Sequence, residues 1–365
     1  MAATQVAVAS LGLFILDTFE WRTPAIDDSA KAVSKREESV IGGGGTYAMI
    51  GSRVWLPAER VGILVDRGND WPKEVEQRLN AYGPMWIYRE KPDEPTTRAL
   101  NLYTGEHRGE LSPFSLNPHE TNPVCSADFE YLTPRTRLEP KDLPSQLRTS
   151  QYLHFVCSPT RALVIHSQLQ PPLNPTPSWQ PTLIYEPIPD RCTPDELPSL
   201  RNVLPHVAVF SPNHEEAWAF YGVGVGEVAR SGKAGIEDVA QRFFEEGAKD
   251  MVVIRSGALG AYAIRRGEDK GVWVPAYHSY SDEEAQKKVV DVTGAGNSFL
   301  GGLMAGLVLY PDDLVTAVQC ASISASYNIE QFGLPSMQVD EQGVERWNGS
   351  SPADRLAEVK TRSTA

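Results

Sequence analysis

From Tyr152 onward the chain alternates short apolar runs with segments of helical spacing. YLHFVCS, LIYEP and HVAVFSPN read as strands, and PTRALVIHSQL, PDELPSLRNVL and HEEAWAFYG read as helices. Such a rhythm builds βαβ units and hence a parallel sheet. Parallel crossovers are right-handed, so the carboxyl ends of the strands collect on one edge, where open α/β sheets bind ligands. The rhythm therefore fixes an α/β fold class and nominates the residues that follow each strand. Among them are Glu186 and the run Asn213-His214-Glu215-Glu216.

The 365 residues can bury a large core, and a formal charge of -13 argues against a nucleic-acid surface or an anionic membrane as the main partner. Cys125, Cys157, Cys192 and Cys320 are far apart and form no CxxC. Neither a zinc site nor a disulfide framework is suggested, so a reducing, cytoplasmic setting is expected. The apolar run Val6–Phe19 (VAVASLGLFILDTF) has no basic start and no A-x-A exit, and is too short to span a bilayer. It reads as a first strand buried on both faces, with Asp17 at its carboxyl end. Asp17 there either caps a turn or meets a ligand.

Ile41–Tyr47 (IGGGGTY) precedes a helix over Ala48–Leu56, and its four glycines let a backbone approach a ligand or another strand closely. Val61–Asp66 reads as a strand and Trp71–Tyr82 as a helix, while Met85–Arg89 and Thr97–Tyr103 alternate like half-exposed strands. The proline-rich stretches Ser112–Pro123 and Pro171–Pro181 read as loops. Gly222–Gly226 follows a helix instead of a strand, and GEVARSGK lacks the spacing and the final Ser/Thr of a phosphate loop, so neither is a nucleotide motif. Asp250–Arg255 is a strand, Ser256–Gly260 a tight turn and Ala261–Arg265 a further strand. Ala317–Asn328 is a helix of small residues, and Asn348–Ala365 is polar and expected to fray.

Between the strand Ala261–Arg265 and the helix Ala317–Asn328 lies Lys288–Gly302, KVVDVTGAGNSFLGG: an apolar strand end, a small-residue turn at Gly294-Ala295-Gly296, and a helix start. Backbone N–H groups converge there at the positive end of a helix dipole, which suits an anion such as phosphate. A tight turn without a ligand is the plainer alternative. Similarly, Asn213 and Glu216 stand one helical turn apart, where their oxygens suit Mg²⁺ or simply cap the helix, and both roles can hold together.

DVTGAGNSFLGG resembles the second signature of the ribokinase-like (PfkB) carbohydrate kinases, D-x-x-G-A-G-D. IGGGGTYA is similar, more loosely, to their first signature, and SPNHEE to their magnesium motif. With Glu186-Pro187 and RSGALGA, the set most resembles the divergent fungal maintenance-of-killer-like branch. The resemblance implies a three-layer ribokinase-like α/β/α fold with a small β lid over residues 1–345, lid strands from about 18–40 and 85–110, and a polar tail over 346–365. It also implies transfer of a phosphoryl group from ATP, with Mg²⁺, to a hydroxyl of a sugar, nucleoside or related molecule, and a homodimer through the lid. In that family Asp17, Gly43, Gly44, Thr97, Arg98 and Asn101 would meet the acceptor. Asn213, Ser256, Gly257, Gly260 and Thr293 would meet the nucleotide, and Asn213 and Glu216 the metal. Gly294, Ala295 and Gly296 would form the anion hole, with Asp291 beside it. The last Asp of the signature, the catalytic base, is Asn297 here. An amide cannot take the hydroxyl proton at neutral pH, so the resemblance leaves two readings: a slow or altered kinase, with Asp17 or Asp291 as substitute base, or a silent nucleotide-binding protein.

Overall fold

The structure is a computed structural model that describes residues 5–22, 33–104, 128–170, 179–279 and 283–364. The expected loops at 112–123 and 171–178, and the lid residues 23–32 and 105–110, lie outside the described residues. In chain order the strands are β1 (Val8–Ser10), β2 (Ile15–Arg22), β3 (Val33–Gly42), β4 (Val61–Gly68), β5 (Trp86–Lys91), β6 (Arg98–Thr104) and β7 (Asp128–Tyr131). There follow β8 (Tyr152–Cys157), β9 (Thr182–Pro187), β10 (Val209–Phe210), β11 (Met251–Arg255), β12 (Ala261–Arg265) and β13 (Val272–Val274). The helices are α1 (Gly44–Arg53), α2 (Lys73–Asn80), α3 (Pro159–Gln168), α4 (Leu197–Val203) and α5 (His214–Ala219). After them come α6 (Val225–Glu245), α7 (Glu283–Gln286), α8 (Ala295–Leu309), α9 (Leu314–Ile329) and α10 (Pro352–Thr364).

The apolar runs assemble into a nine-stranded sheet in the order β13-β12-β11-β10-β9-β8-β1-β4-β5. Its pairings are parallel, as at Val8↔Val61 and Val8↔Tyr152, except that β11, β12 and β13 run antiparallel. One face is covered by α1, α8 and α9 through Ala48, Leu300, Leu303, Val318 and Ile323, the other by α3, α4 and α6 through Ile165, Leu200, Val239 and Phe243. This is the parallel sheet the alternation predicts, in the three-layer arrangement the resemblance implies. Helix α8 passes so close to α1 that a Cβ on Gly301 would lie 1.7 Å from the carbonyl oxygen of Ala48. A small second sheet, β3-β2-β6-β7, forms the lid.

Three expectations are corrected. Val6–Phe19 is two strands: the chain turns after Ser10 and re-enters as β2 in the lid, so Asp17 sits inside a lid strand opposite Val40 and Ala99. Both pieces are buried, so a continuous apolar run gave no sign of the break. Met85–Arg89 is not lid but becomes β5, the parallel edge of the main sheet, where Trp86 is opposite Ile63. An edge strand and a lid strand are both half exposed and alternate alike. The tail is not frayed: Trp347 is fully buried, and α10 packs Leu356 and Val359 into the core. Their i, i+3 spacing, and the cap that Ser351 Oγ gives Asp354 N (3.1 Å), were readable signals.

Candidate active site

The Lys288–Gly302 stretch does make a turn into a helix. Asp291 fastens it, accepting hydrogen bonds from Thr293 N (3.1 Å) and Thr293 Oγ1 (2.9 Å). Asn328 Nδ2 donates to the Thr293 carbonyl (2.7 Å), tying the turn to α9. Gly294 then takes the left-handed conformation (φ 73°), and a Cβ there would strike the Tyr47 ring at 2.2 Å. Glycine is required on both counts. Helix α8 starts at Ala295, so its first N–H groups face the space beyond.

Beneath the turn lies a buried ionic network. Arg255, at the end of β11, places Nη1 2.8 Å from Glu186 Oε1 and Nη2 3.3 Å from Glu216 Oε2. Glu186 Oε2 receives Asn297 Nδ2 (2.6 Å) and is 3.3 Å from His154 Nε2. His154 Nδ1 is in turn 3.0 Å from Ser10 Oγ, which accepts from Gly12 N (2.9 Å). Burial alone would push the Glu186 carboxyl up, but Arg255, His154 and Asn297 together hold it below the ordinary range. Glu216 has one arginine contact and no such set of donors. Burial carries it up to about 7 against the pull of Arg255 and the Asn213 N–H.

On the lid side Asp17 is 3% exposed and accepts from Asn101 Nδ2 (3.1 Å). Burial raises it to about 7, Asn101 opposing and the nearby Asp291 reinforcing. The glycine run explains how the two sides meet. A Cβ on Gly42 would lie 2.0 Å from Asp17 Oδ2 and 3.5 Å from the Tyr47 hydroxyl, and one on Gly44 would lie 3.2 Å from Asn297 Nδ2. Gly43 (φ 94°) packs against the carbonyl of Leu13, and Gly45 against that of Gly12. The run thus serves mainly backbone-to-backbone contact, with Gly42 and Gly44 facing the functional side chains. Tyr103 Oη, 3.1 Å from Thr293 Oγ1, joins the lid to the turn.

A cavity of about 260 Å³ opens beside the turn, lined by Arg255, Ser256, Gly257, Gly260, Ala295 and Gly296 and walled by Ser322, Ala325 and Ile329 of α9. Ser256, Gly257 and Gly260, the residues expected to meet a nucleotide, line this cavity. Thr293 is engaged by Asp291 and Tyr103 and does not line this cavity. Arg98 turns away to Asp70 (2.8 Å), whereas Thr97 is buried next to it, its carbonyl accepting from Leu16 N (2.9 Å).

The magnesium expectation meets the donors as they stand. Asn213 Oδ1 accepts from Glu216 N (2.7 Å), and Glu216 Oε2 accepts from Asn213 N (2.8 Å) and lies within reach of Arg255. This is a capping box on α5. Among the described residues no group of three His, Cys, Asp or Glu side chains could hold a metal ion. The donor set does not fit a directly ligated Mg²⁺.

Residues 185–340 match the model of the pfkB family carbohydrate kinases. Over this part the chain is similar to the PfkB, ribokinase-like carbohydrate kinases. It is 29% identical to Protein MAK32 of Saccharomyces cerevisiae, over 97% of this chain and 92% of that one. It is 28% identical, with the same coverage, to an uncharacterized protein of Schizosaccharomyces pombe. Its fold is that of the Arabidopsis thaliana ribokinase solved with ribose and ATP, at a TM-score of 0.64, 12% identity, and 98% and 99% coverage of the two chains. Against this PfkB frame, sequence reasoning missed Arg255 and His154. The available signal was a charged or polar residue inside an otherwise apolar strand that ends on the ligand edge, in DMVVIR and YLHFVC.

Proposed function

We infer that the protein binds a nucleoside triphosphate of the ATP class in the cavity between the Ser256–Gly260 turn and α9, and passes its terminal phosphoryl group slowly to a hydroxyl. The acceptor, a sugar, nucleoside or related small molecule, is held near Asp17 under the lid. One observation carries the reading: the cavity is floored by the Ala295–Gly296 helix start, with the Arg255 guanidinium beside it, so a purine and its phosphates have a place and a charge to meet. The match of residues 185–340 to the pfkB family carbohydrate kinases, and a structural neighbour solved in complex with ribose and ATP, support the same ligands.

Transfer is slow because Asn297 offers no base and its amide is committed to Glu186. General-base assistance is worth ~10²–10⁴ in rate. Asp291 is engaged by Thr293, which leaves Asp17, held near 7, as the carboxyl best poised to accept a proton at neutral pH. The Asn297–Glu186 bond also favours a second reading, a nucleotide-binding protein with no turnover. Calorimetry with ATP, followed by a phosphotransfer screen over hydroxyl compounds, separates them. The first reading expects ATP binding and transfer roughly 10²–10⁴ slower than the 1–100 s⁻¹ of ordinary kinases. Binding without transfer to any acceptor selects the second, and absence of ATP binding overturns both.

A further inference from the structure

Arg255 supplies the positive charge beside the turn. It ends β11 on the ligand edge, and its guanidinium lies between two carboxylates, 2.8 Å from Glu186 Oε1 and 3.3 Å from Glu216 Oε2. Nη2 also donates to the Ser211 carbonyl (3.1 Å), while Nε is buried without a hydrogen-bond partner. A Cβ on Gly296 would fall 1.8 Å from Nη1 and 3.4 Å from Glu186 Oε1. The first turn of α8 therefore rests directly on the guanidinium, and Arg255 is among the residues that line the cavity. Both Glu186 oxygens are engaged, by Arg255, His154 and Asn297, and so is Glu216 Oε2, by Asn213 N and Arg255.

We propose that Arg255 takes the cation's place, meeting the phosphates at the Gly294–Gly296 turn so that phosphate binding needs no divalent ion. The proposal rests on the nucleotide reading for the identity of the ligand, but not for the position of the guanidinium. The chemistry suits the task. A guanidinium is a planar fork that pairs with carboxylates and phosphates alike and keeps its charge at any physiological pH. Clamped by two carboxylates and a carbonyl, it is fixed before the ligand arrives, so little ordering remains to be done on binding.

The full chain is titrated calorimetrically with ADP and with pyrophosphate, first in EDTA and then in excess Mg²⁺. The two affinities are expected to agree within about threefold, and a loss of about tenfold or more in EDTA overturns the proposal. A second arm uses Mn²⁺ alone, followed by electron paramagnetic resonance and by melting temperature. The parent should bind no Mn²⁺ at this site. Arg255→Gln, which removes the positive charge between the two carboxylates and releases Glu186 Oε1, should gain a Mn²⁺ site and be stabilised by the ion. A parent that binds Mn²⁺ as tightly as Arg255→Gln overturns the proposal. Should Arg255→Gln not fold, Arg255→Lys keeps the charge as a point and loses the fork. It is expected to bind ADP in EDTA more weakly than the parent and still to reject Mn²⁺, and unchanged ADP affinity would count against the guanidinium. If neither ADP nor pyrophosphate binds under either condition, the nucleotide reading fails. The manganese arm then decides alone whether Arg255 fills the cation's place.

Discussion

Glu186 and Asp17 stand on the two sides of the Gly294–Asn297 turn and are almost equally buried, at 5% and 3% exposure. Yet Glu186 is held below the ordinary carboxyl range, and Asp17 is raised to about 7. Burial disfavours the charged form of both. The difference is in their partners. Glu186 has a guanidinium, an amide and an imidazole. Asp17 has one amide and faces a second carboxylate, Asp291. The pocket thus has a fixed-charge end, built on the main sheet, and a titratable end, built on the lid. Phosphoryl transfer asks for such a division, since the phosphates need steady charge and the acceptor hydroxyl needs a group that can take up a proton.

The largest expected effect comes from inserting one methyl group at each end. In Gly296→Ala the new Cβ would lie 1.8 Å from Arg255 Nη1, so the guanidinium must leave Glu186 and Glu216. Stranding buried charge in this way costs about 3–5 kcal/mol. In Gly42→Ala the Cβ would lie 2.0 Å from Asp17 Oδ2 and displaces a carboxyl with far less to lose. Overpacking of that kind costs about 1–3 kcal/mol. Denaturant unfolding at pH 7 measures both. Equal losses, or a larger loss in Gly42→Ala, would erase the distinction between the two ends.

The next effect is in the pH dependence of stability. Asp17 goes from 3.8 to about 7 on folding, so between those values the folded state holds a proton that the unfolded state has released. Stability from this group is therefore complete below pH 3.8 and falls as pH rises to 7. From pH 5 to pH 7 the loss is about 2 kcal/mol. Glu216, raised to about 7, slopes the same way, whereas Glu186 is flat across this window because its folded value is lowered. Asp17→Asn should remove the Asp17 part and leave the Glu216 part. An unchanged slope between pH 5 and pH 7 in Asp17→Asn would show that Asp17 is ionised at both.

How much of this was legible follows the same division. The fixed end depends on features that repeat along the chain: the alternation from Tyr152, the strand ends at Glu186 and Asn213, and the small-residue turn at Gly294–Gly296. Each is local, so each could be placed from sequence. The lid end was misplaced because its burial mimics that of a sheet strand; only packing against Gly45 shows that the chain turns at Gly12. Arg255 was read merely as the last residue of a strand. Its partners, Glu186 and Glu216, come from two other βα units, and no spacing along the chain reports that they converge.

The smallest expected effect is at Asn297, and the comparison is what makes it small. Restoring the family's carboxylate by Asn297→Asp would supply a base on sequence grounds, with a gain of ~10²–10⁴. In the structure, however, Asn297 Nδ2 donates to Glu186 Oε2 at 2.6 Å. A carboxylate there has no proton to donate and would face a second buried carboxylate at contact distance. Two such groups cannot both ionise, so one of them takes up a proton. The pair then shares a proton when a free base is needed, and turnover on any acceptor should rise by less than about tenfold. Glu186→Gln combined with Asn297→Asp removes the conflict. Its side-chain carbonyl can still accept from Arg255, and its amide can donate to the new carboxylate. The double variant should therefore recover more transfer than either single change, with the largest gains above pH 6. Turnover is measured on the best acceptor from the hydroxyl screen. A gain of about a hundredfold in Asn297→Asp alone would mean that Glu186 yields its charge readily, and that the contrast between the two ends does not survive in the working protein.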